Sequence, residues 1–192
     1  QVASNGNPTH PQYGNGAKPV IPDYLLIGGT NGVTGQPTAA QMDSYNVDYS
    51  KGSIYQITPA NKTGTDWFHE IFKPAPIQQH TVTASGGADR SNYLFSLGSY
   101  DQEGTLVNTY LKRYSLRANT TFNIKNNIRV GENAYIFYRN QRGTPSGNQS
   151  EGNPISMSYR QQPIIPVLDA MGNYAGTRAQ GLGNAQNPFA NV

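Results

Sequence analysis

From position 113 to 124 the chain alternates at every step. Tyr114, Leu116, Ala118, Thr120, Phe122 and Ile124 share one parity, and Arg113, Ser115, Arg117, Asn119, Thr121 and Asn123 share the other. Successive side chains of a strand point to opposite faces, so the pattern predicts one apolar face and one strongly polar face. Its length exceeds the roughly 5–6 residues of an ordinary strand and suits a tilted strand crossing a bilayer, about 9–11 residues. Residues 128–139 and 92–100 read as further strands, the latter with Tyr93, Phe95 and Leu97 on one face, and 79–85 alternates weakly. Turns are expected at 86–90 and 125–127. A longer connection opens with Asp101-Gln102-Glu103-Gly104 and ends near Lys112.

Parity also predicts the pairing. Around the 125–127 turn, Phe122 falls opposite Val130, Ala118 opposite Ala134, Leu116 opposite Ile136 and Tyr114 opposite Tyr138. Across the preceding connection, Tyr93 is expected opposite Phe122, Phe95 opposite Thr120 and Leu97 opposite Ala118. Each pair keeps apolar residues or Thr together on one face, as cross-strand packing requires. The aromatics separate by height, with Tyr114 and Tyr138 at one end and Tyr93 and Phe122 at the other. Two aromatic girdles around an aliphatic middle are the wall of a membrane barrel, with these four residues facing lipid. Glu132 breaks the pattern: strict parity turns it outward beside Thr120, unless a bulge or an interfacial position relieves it.

The flanks read as loop. Asn7-Pro8, His10-Pro11, Lys18-Pro19, Ile21-Pro22, Gly28-Gly29, Gln36-Pro37 and Thr58-Pro59 leave little room for regular elements. Short helices are expected at 38–45, capped by Thr38, and at 66–72, capped by Asp66. Beyond Asn140 the chain is again rich in Gly and Pro, apart from the apolar patch Pro163-Ile164-Ile165-Pro166-Val167-Leu168. Connections thus alternate long, short, medium, short, long. Outer-membrane barrels have short periplasmic turns and long extracellular loops. The expected organisation is an extracellular loop region at 1–76, antiparallel barrel strands with short periplasmic turns at 77–139, and at 140–192 an extracellular loop leading to the next strand. The fold class is all-β: about four strands of an incomplete antiparallel transmembrane barrel, with long outer loops.

Composition agrees with long polar loops on β-structure. Of 192 residues only 35% are hydrophobic and 13% charged, about half the usual charged fraction, whereas Gly (21), Pro (13) and Tyr (13) are plentiful. The formal charge of +3 comes from scattered basic residues with no cluster or helical stripe, which argues against a nucleic-acid partner. There is no Cys, hence no disulfide and no thiolate metal site. No apolar run reaches the length of a membrane-spanning helix, and the opening Gln1-Val2-Ala3-Ser4-Asn5 reads as mature or internal sequence.

No catalytic constellation stands out, and neither an enzyme nor a cofactor is expected. His10, His69 and His80 lie apart, with no His-x-x-x-His spacing for a metal. Asp101 and Glu103 are the only paired carboxylates that suggest hydrolysis, and they read as a polar turn. Asn61-Lys62-Thr63, Asn119-Thr120-Thr121 and Asn148-Gln149-Ser150 match a glycosylation sequon, which at Asn119 falls inside a strand. Arg113, Arg117, Arg129 and Arg139 share the polar parity. Of that face, Arg113, Arg117, Arg129, Asn119 and Tyr135 are the candidates for a wet lumen, where arginines contact neighbouring side chains or line a substrate path. The loop tyrosines Tyr13, Tyr24, Tyr45, Tyr49 and Tyr55, with Trp67, offer flat surfaces for stacking on a ligand or packing on a partner. Of these, Tyr24, Tyr45, Tyr55 and Trp67 are the candidates, although Trp67 beside Phe68 and Phe72 also reads as local packing.

Several motifs resemble the SusC/RagA family, TonB-dependent outer-membrane transporters of Bacteroidetes. They are Thr65-Asp66-Trp67-Phe68-His69-Glu70-Ile71-Phe72, Ala75-Pro76-Ile77-Gln78-Gln79-His80, Ser85-Gly86-Gly87 and Asn92-Tyr93-Leu94-Phe95-Ser96-Leu97-Gly98. They continue in order through Asp101-Gln102-Glu103-Gly104, Lys112-Arg113-Tyr114-Ser115-Leu116-Arg117-Ala118-Asn119 and Val130-Gly131-Glu132-Asn133. Pro163-Ile164-Ile165-Pro166-Val167-Leu168-Asp169, Gly172-Asn173-Tyr174 and Asn187-Pro188 resemble the family's next outer loop. The resemblance implies an early barrel segment in the bacterial outer membrane, in contact with its lipid. It implies import of oligosaccharides or peptides with a SusD-like surface lipoprotein, energised by TonB through a plug and TonB-box absent from this stretch. The alternative is a secreted, soluble β-sheet module that binds glycans.

Overall fold

The structure, a computed structural model, describes residues 9–144 and 152–192. Contacts divide the chain into two units, Lys73–Thr144 and the combination of Gln1–Phe72 with Pro145–Val192.

In the second of these, short elements are set by local capping. The hairpin β1 (Thr9–His10) and β2 (Gly14–Asn15) is followed by β3 (Tyr24–Ile27), which pairs antiparallel with β4 (Gln56–Pro59). Helix α1 (Ala39–Asp43) starts at Thr38 with a full capping box: Gln41 N–H donates to the Thr38 hydroxyl, and Thr38 N–H donates to Gln41 Oε1 at 2.8 Å. Asp66 caps α2 (Trp67–Ile71), and Asn153 caps α3 (Pro154–Arg160), where Pro154 has no N–H to leave orphaned. Both helices expected from the sequence are therefore present, each confined to little more than one turn.

This unit has a core of its own. Leu25 and Ile27 from β3 and Trp67 from α2 pack with Ile164, Ile165, Ala175, Ala179 and Leu182. Leu25, Ile57, Ile71 and Ile165 are fully buried, each contributing about 1.5–3 kcal/mol of apolar transfer. The two loop regions read separately in the sequence thus share one interior, to which the 163–168 patch brings the key side chains.

The Lys73–Thr144 unit is a four-stranded antiparallel sheet in sequential order: β5 (Ile77–Ala88), β6 (Ser91–Glu103), β7 (Tyr110–Lys125) and β8 (Ile128–Arg142). The β7–β8 register is the expected one: Phe122 faces Val130, Ala118 faces Ala134, Leu116 faces Ile136 and Tyr114 faces Tyr138. The β6–β7 register differs by two residues, with Tyr93 opposite Thr120, Phe95 opposite Ala118 and Leu97 opposite Leu116. The cause is a shorter connection. Asp101, Gln102 and Glu103 belong to β6, and the chain reverses within residues 104–109, where Gly104 N–H donates to Thr109 O and Asn108 takes φ +61°. A shift of two preserves the faces, so the parity argument survives the error. The β5–β6 turn is likewise tighter than expected, since β5 runs to Ala88 and β6 starts at Ser91. The sole register shift is at Asn123/Lys125, so the ladder is regular at Glu132 and no bulge redirects it.

Candidate functional site

The sheet sorts its side chains into two chemistries. On one face lie Val82, Tyr93, Phe95, Leu97, Tyr114, Leu116, Ala118, Phe122, Val130, Ala134, Ile136 and Tyr138. Tyr93, Phe95, Leu97, Tyr114, Leu116, Phe122, Ile136 and Tyr138 are all 40% exposed or more, so an apolar band stands uncovered. A soluble protein rarely leaves so large a patch bare. Tyr114 faces Tyr138 directly, whereas Tyr93 and Phe122 lie on adjacent strands one row apart. Beyond the Tyr114 row the face turns polar, where Lys112 Nζ meets the Asp101 carboxylate at 3.1 Å. Asp101 is thus committed to an ion pair within the strand ladder, and Glu103 lies on the same face. Glu132, opposite Thr120, is one row inside Phe122 and Val130.

The other face carries the arginines. Arg113 lies over the Tyr100 ring, 5.5 Å from guanidinium carbon to centroid, and Arg117 lies over Tyr135 at 5.4 Å. Both are cation–π contacts between register partners, which hold the long side chains extended along the face. Tyr135 also packs on Phe137 at 5.8 Å. Asn119 sits between Leu94 and Asn133, and Arg129 opposite Asn123 near the Lys125–Asn127 end. All five candidates for the polar face therefore share it.

The stacking candidates fare differently. Trp67 is only 2% exposed and its indole N–H donates to Gln162 O at 3.3 Å, so it anchors a core and offers no ring to a ligand. Tyr45 is half-buried and its hydroxyl donates to Asp169 at 2.5 Å while accepting from Asn173. Burial and the adjacent Asp169 carboxylate push the Tyr45 phenol above its ordinary pKa. Gln56 completes this network, donating to Asp169 and Tyr174 O and accepting from Gly176 N–H. Tyr24 and Tyr55 are half-buried within the strand pairings of the same unit.

Tyr49, one of the loop tyrosines, lies with Tyr174 and Arg178, which sequence reasoning passed over, in a cleft of about 660 Å³ between the 47–56 and 173–190 segments. Tyr49 and Tyr174 are 85% and 50% exposed. Gly172-Asn173-Tyr174, with φ +82° at Gly172, was a visible turn signal, but nothing local placed it beside Tyr49.

No family model matches the chain. Among curated proteins it is similar to TonB-dependent receptor P3 of Formosa agariphila, 29% identical over 157 residues, which cover 79% of this chain and 14% of that protein. TonB-dependent receptor P26 of the same organism is 26% identical over 70% of this chain and 13% of its own length. The chain spans about one-seventh of these relatives. Among solved structures it resembles the RagAB peptide transporter, with TM-score 0.50 and 26% identity over 66% of this chain and 15% of that one. The RagAB peptide importer in its closed-closed state supports the fold alone, with TM-score 0.53 and 23% identity over 79% of this chain and 17% of that one. An antiparallel, two-faced sheet that does not close, joined to long loops and matching a part of each relative, is an incomplete barrel segment, similar to one stretch of these TonB-dependent receptors and of the RagAB transporter.

Proposed function

We propose that this chain supplies barrel wall and outer loops to a TonB-dependent importer of oligosaccharides or peptides. The observation that carries the reading is the sorted sheet, with an uncovered apolar band and aromatic girdle on one face and arginines, Asn119 and Tyr135 on the other. The apolar face meets lipid, with Tyr93, Tyr114, Phe122 and Tyr138 at its borders, and the arginine face lines the lumen. Both connections to the unit built from residues 9–72 and 152–192 leave from the sheet end opposite the two short turns. That unit is therefore extracellular and the short turns periplasmic. Within it Tyr24 and Tyr55 remain ligand or partner contacts, joined by Tyr49 and Tyr174. A SusD-like surface lipoprotein delivers substrate from outside, TonB supplies energy through other parts of the transporter, and this stretch does no chemistry on its cargo.

Sidedness is directly measurable, because this stretch has no cysteine and a single one can be placed in it on a background cleared of any others. In the full-length transporter carrying Tyr49→Cys or Asn126→Cys, a membrane-impermeant maleimide should label the first in intact cells and the second only after the outer membrane is opened. Labelling of Asn126→Cys in intact cells would reverse the assignment. Cells lacking the transporter should also lose uptake of its oligosaccharide or peptide, and normal uptake would sink the transport reading.

A further inference from the structure

We propose that Arg113 and Arg139 together form an anion site on the lumen face, taking a carboxylate, sulfate or phosphate group. They are direct register partners on β7 and β8 and share one face, so their Cβ atoms stand about 4.5–5.5 Å apart. Like charges in that position repel. Neither can shed its charge, because a guanidinium stays protonated throughout the physiological range. The sheet offers no remedy: its three strand carboxylates, Asp101, Glu103 and Glu132, all lie on the opposite face. Asp101 is in addition paired with Lys112. Among the described residues, neither arginine has a carboxylate partner. Tyr100 holds the Arg113 side chain in place without neutralising it. Two planar forks rooted in one row suit an oxyanion, which each can bind with two hydrogen bonds.

The placement bears on what passes. The pair sits in the row next to Lys112 and Asp101, at the end of the sheet away from the short turns, and Arg117 and Arg129 follow further along the same face. A ladder of cations with no acidic residue among them favours an anionic passenger, and rests on this face lining the lumen. The bridging anion comes either from the transported molecule or from a carboxylate elsewhere in the transporter, and the test separates the two.

The probe is inorganic sulfate, compared with chloride at equal ionic strength, on the thermal unfolding of the purified full-length transporter. If the site is open to exchange, sulfate raises the wild-type Tm by about 3 °C or more beyond its effect on R139Q and R113Q. If the transporter itself supplies the anion, sulfate makes no difference between them; R139Q and R113Q then each unfold about 3 °C or more below wild type, and R139K holds. The proposal is overturned if sulfate shifts wild type and R139Q alike while R139Q is as stable as wild type or R139K falls with it. Recovery of each variant from the outer membrane as a heat-modifiable barrel is scored separately, and loss of that behaviour in the wild type would overturn the lumen reading instead.

Discussion

Gln56 donates its amide N–H to the Asp169 carboxylate at 2.8 Å, joining two residues separated by 113 positions. The same carboxylate receives the Tyr45 hydroxyl and the backbone N–H groups of Met171 and Asn173. Asp169 is 6% exposed, so its partners have no water to replace it. Asp169→Ala should destabilise the loop unit by about 3 kcal/mol or more, by leaving several buried donors unmet. Hydrogen exchange of the full-length protein should show lost protection at Met171 and Asn173; unchanged protection would contradict the role given to this network.

Trp67 should matter for stability and not for ligand recognition. Trp67→Ala removes a fully buried ring from the core it shares with Leu25, Ile164 and Ile165, at a cost of about 3–5 kcal/mol. Trp67→Phe should unfold earlier than wild type yet bind substrate with the same affinity. A selective loss of affinity in Trp67→Phe would return the ring to the binding surface.

Leu116 and Ser115 are neighbours on opposite faces of β7. If the apolar band meets lipid as proposed, Leu116→Arg places a cation there at a cost of about 2–4 kcal/mol near the midplane and should reduce the folded barrel in outer-membrane fractions. Ser115→Arg adds the same charge to the arginine face and should assemble at wild-type levels. Equal behaviour of the two variants would mean that the faces do not meet different solvents.

Glu132 offers the converse experiment. A carboxylate in the apolar band is a cost with no partner among the described residues, so Glu132→Val should raise the unfolding free energy of the assembled transporter by about 1 kcal/mol. A drop in stability would show that a cation from outside the sheet is paired with it.

Acid should loosen the loop unit before it affects the apolar wall. The Gly35 N–H and the Lys62 ammonium hold the Asp23 carboxyl below its ordinary pKa, and the Ser50 and His69 contacts do the same for Asp48 and Asp66. A lowered folded pKa contributes stability above the unfolded value, about 3.9, and that contribution is lost as pH falls through the folded value. Protection of the Gly35 amide should therefore hold from pH 7 to about 5 and decline below 4. Asp23→Asn should remove that dependence at Gly35; persistence of the same decline in the variant would assign it elsewhere.

What could be read without coordinates was what local rules decide. Period-two alternation and the tight 125–127 turn gave the β7–β8 pairing residue for residue, and Thr38 and Asp66 announced their helices as caps. The β6–β7 register was missed because it depends on where the 104–109 reversal closes, a matter of backbone conformation at Asn108. Strands β3 and β4 left no alternating trace, since Leu25, Leu26 and Ile27 are all buried and Gln56, Ile57 and Thr58 are too. The interior that Trp67 joins is assembled from positions about a hundred residues apart, beyond the reach of any local pattern.

That interior also has a history in time. Leu25, Ile27 and Trp67 emerge early in the chain, but Ile164, Ile165 and Ala175, which cover them, follow only after all four strands. Contacts of such sequence separation form late, because the intervening chain must be ordered before they repay its entropy. Until those later residues have emerged, the first half of this unit therefore has its apolar side chains without their cover.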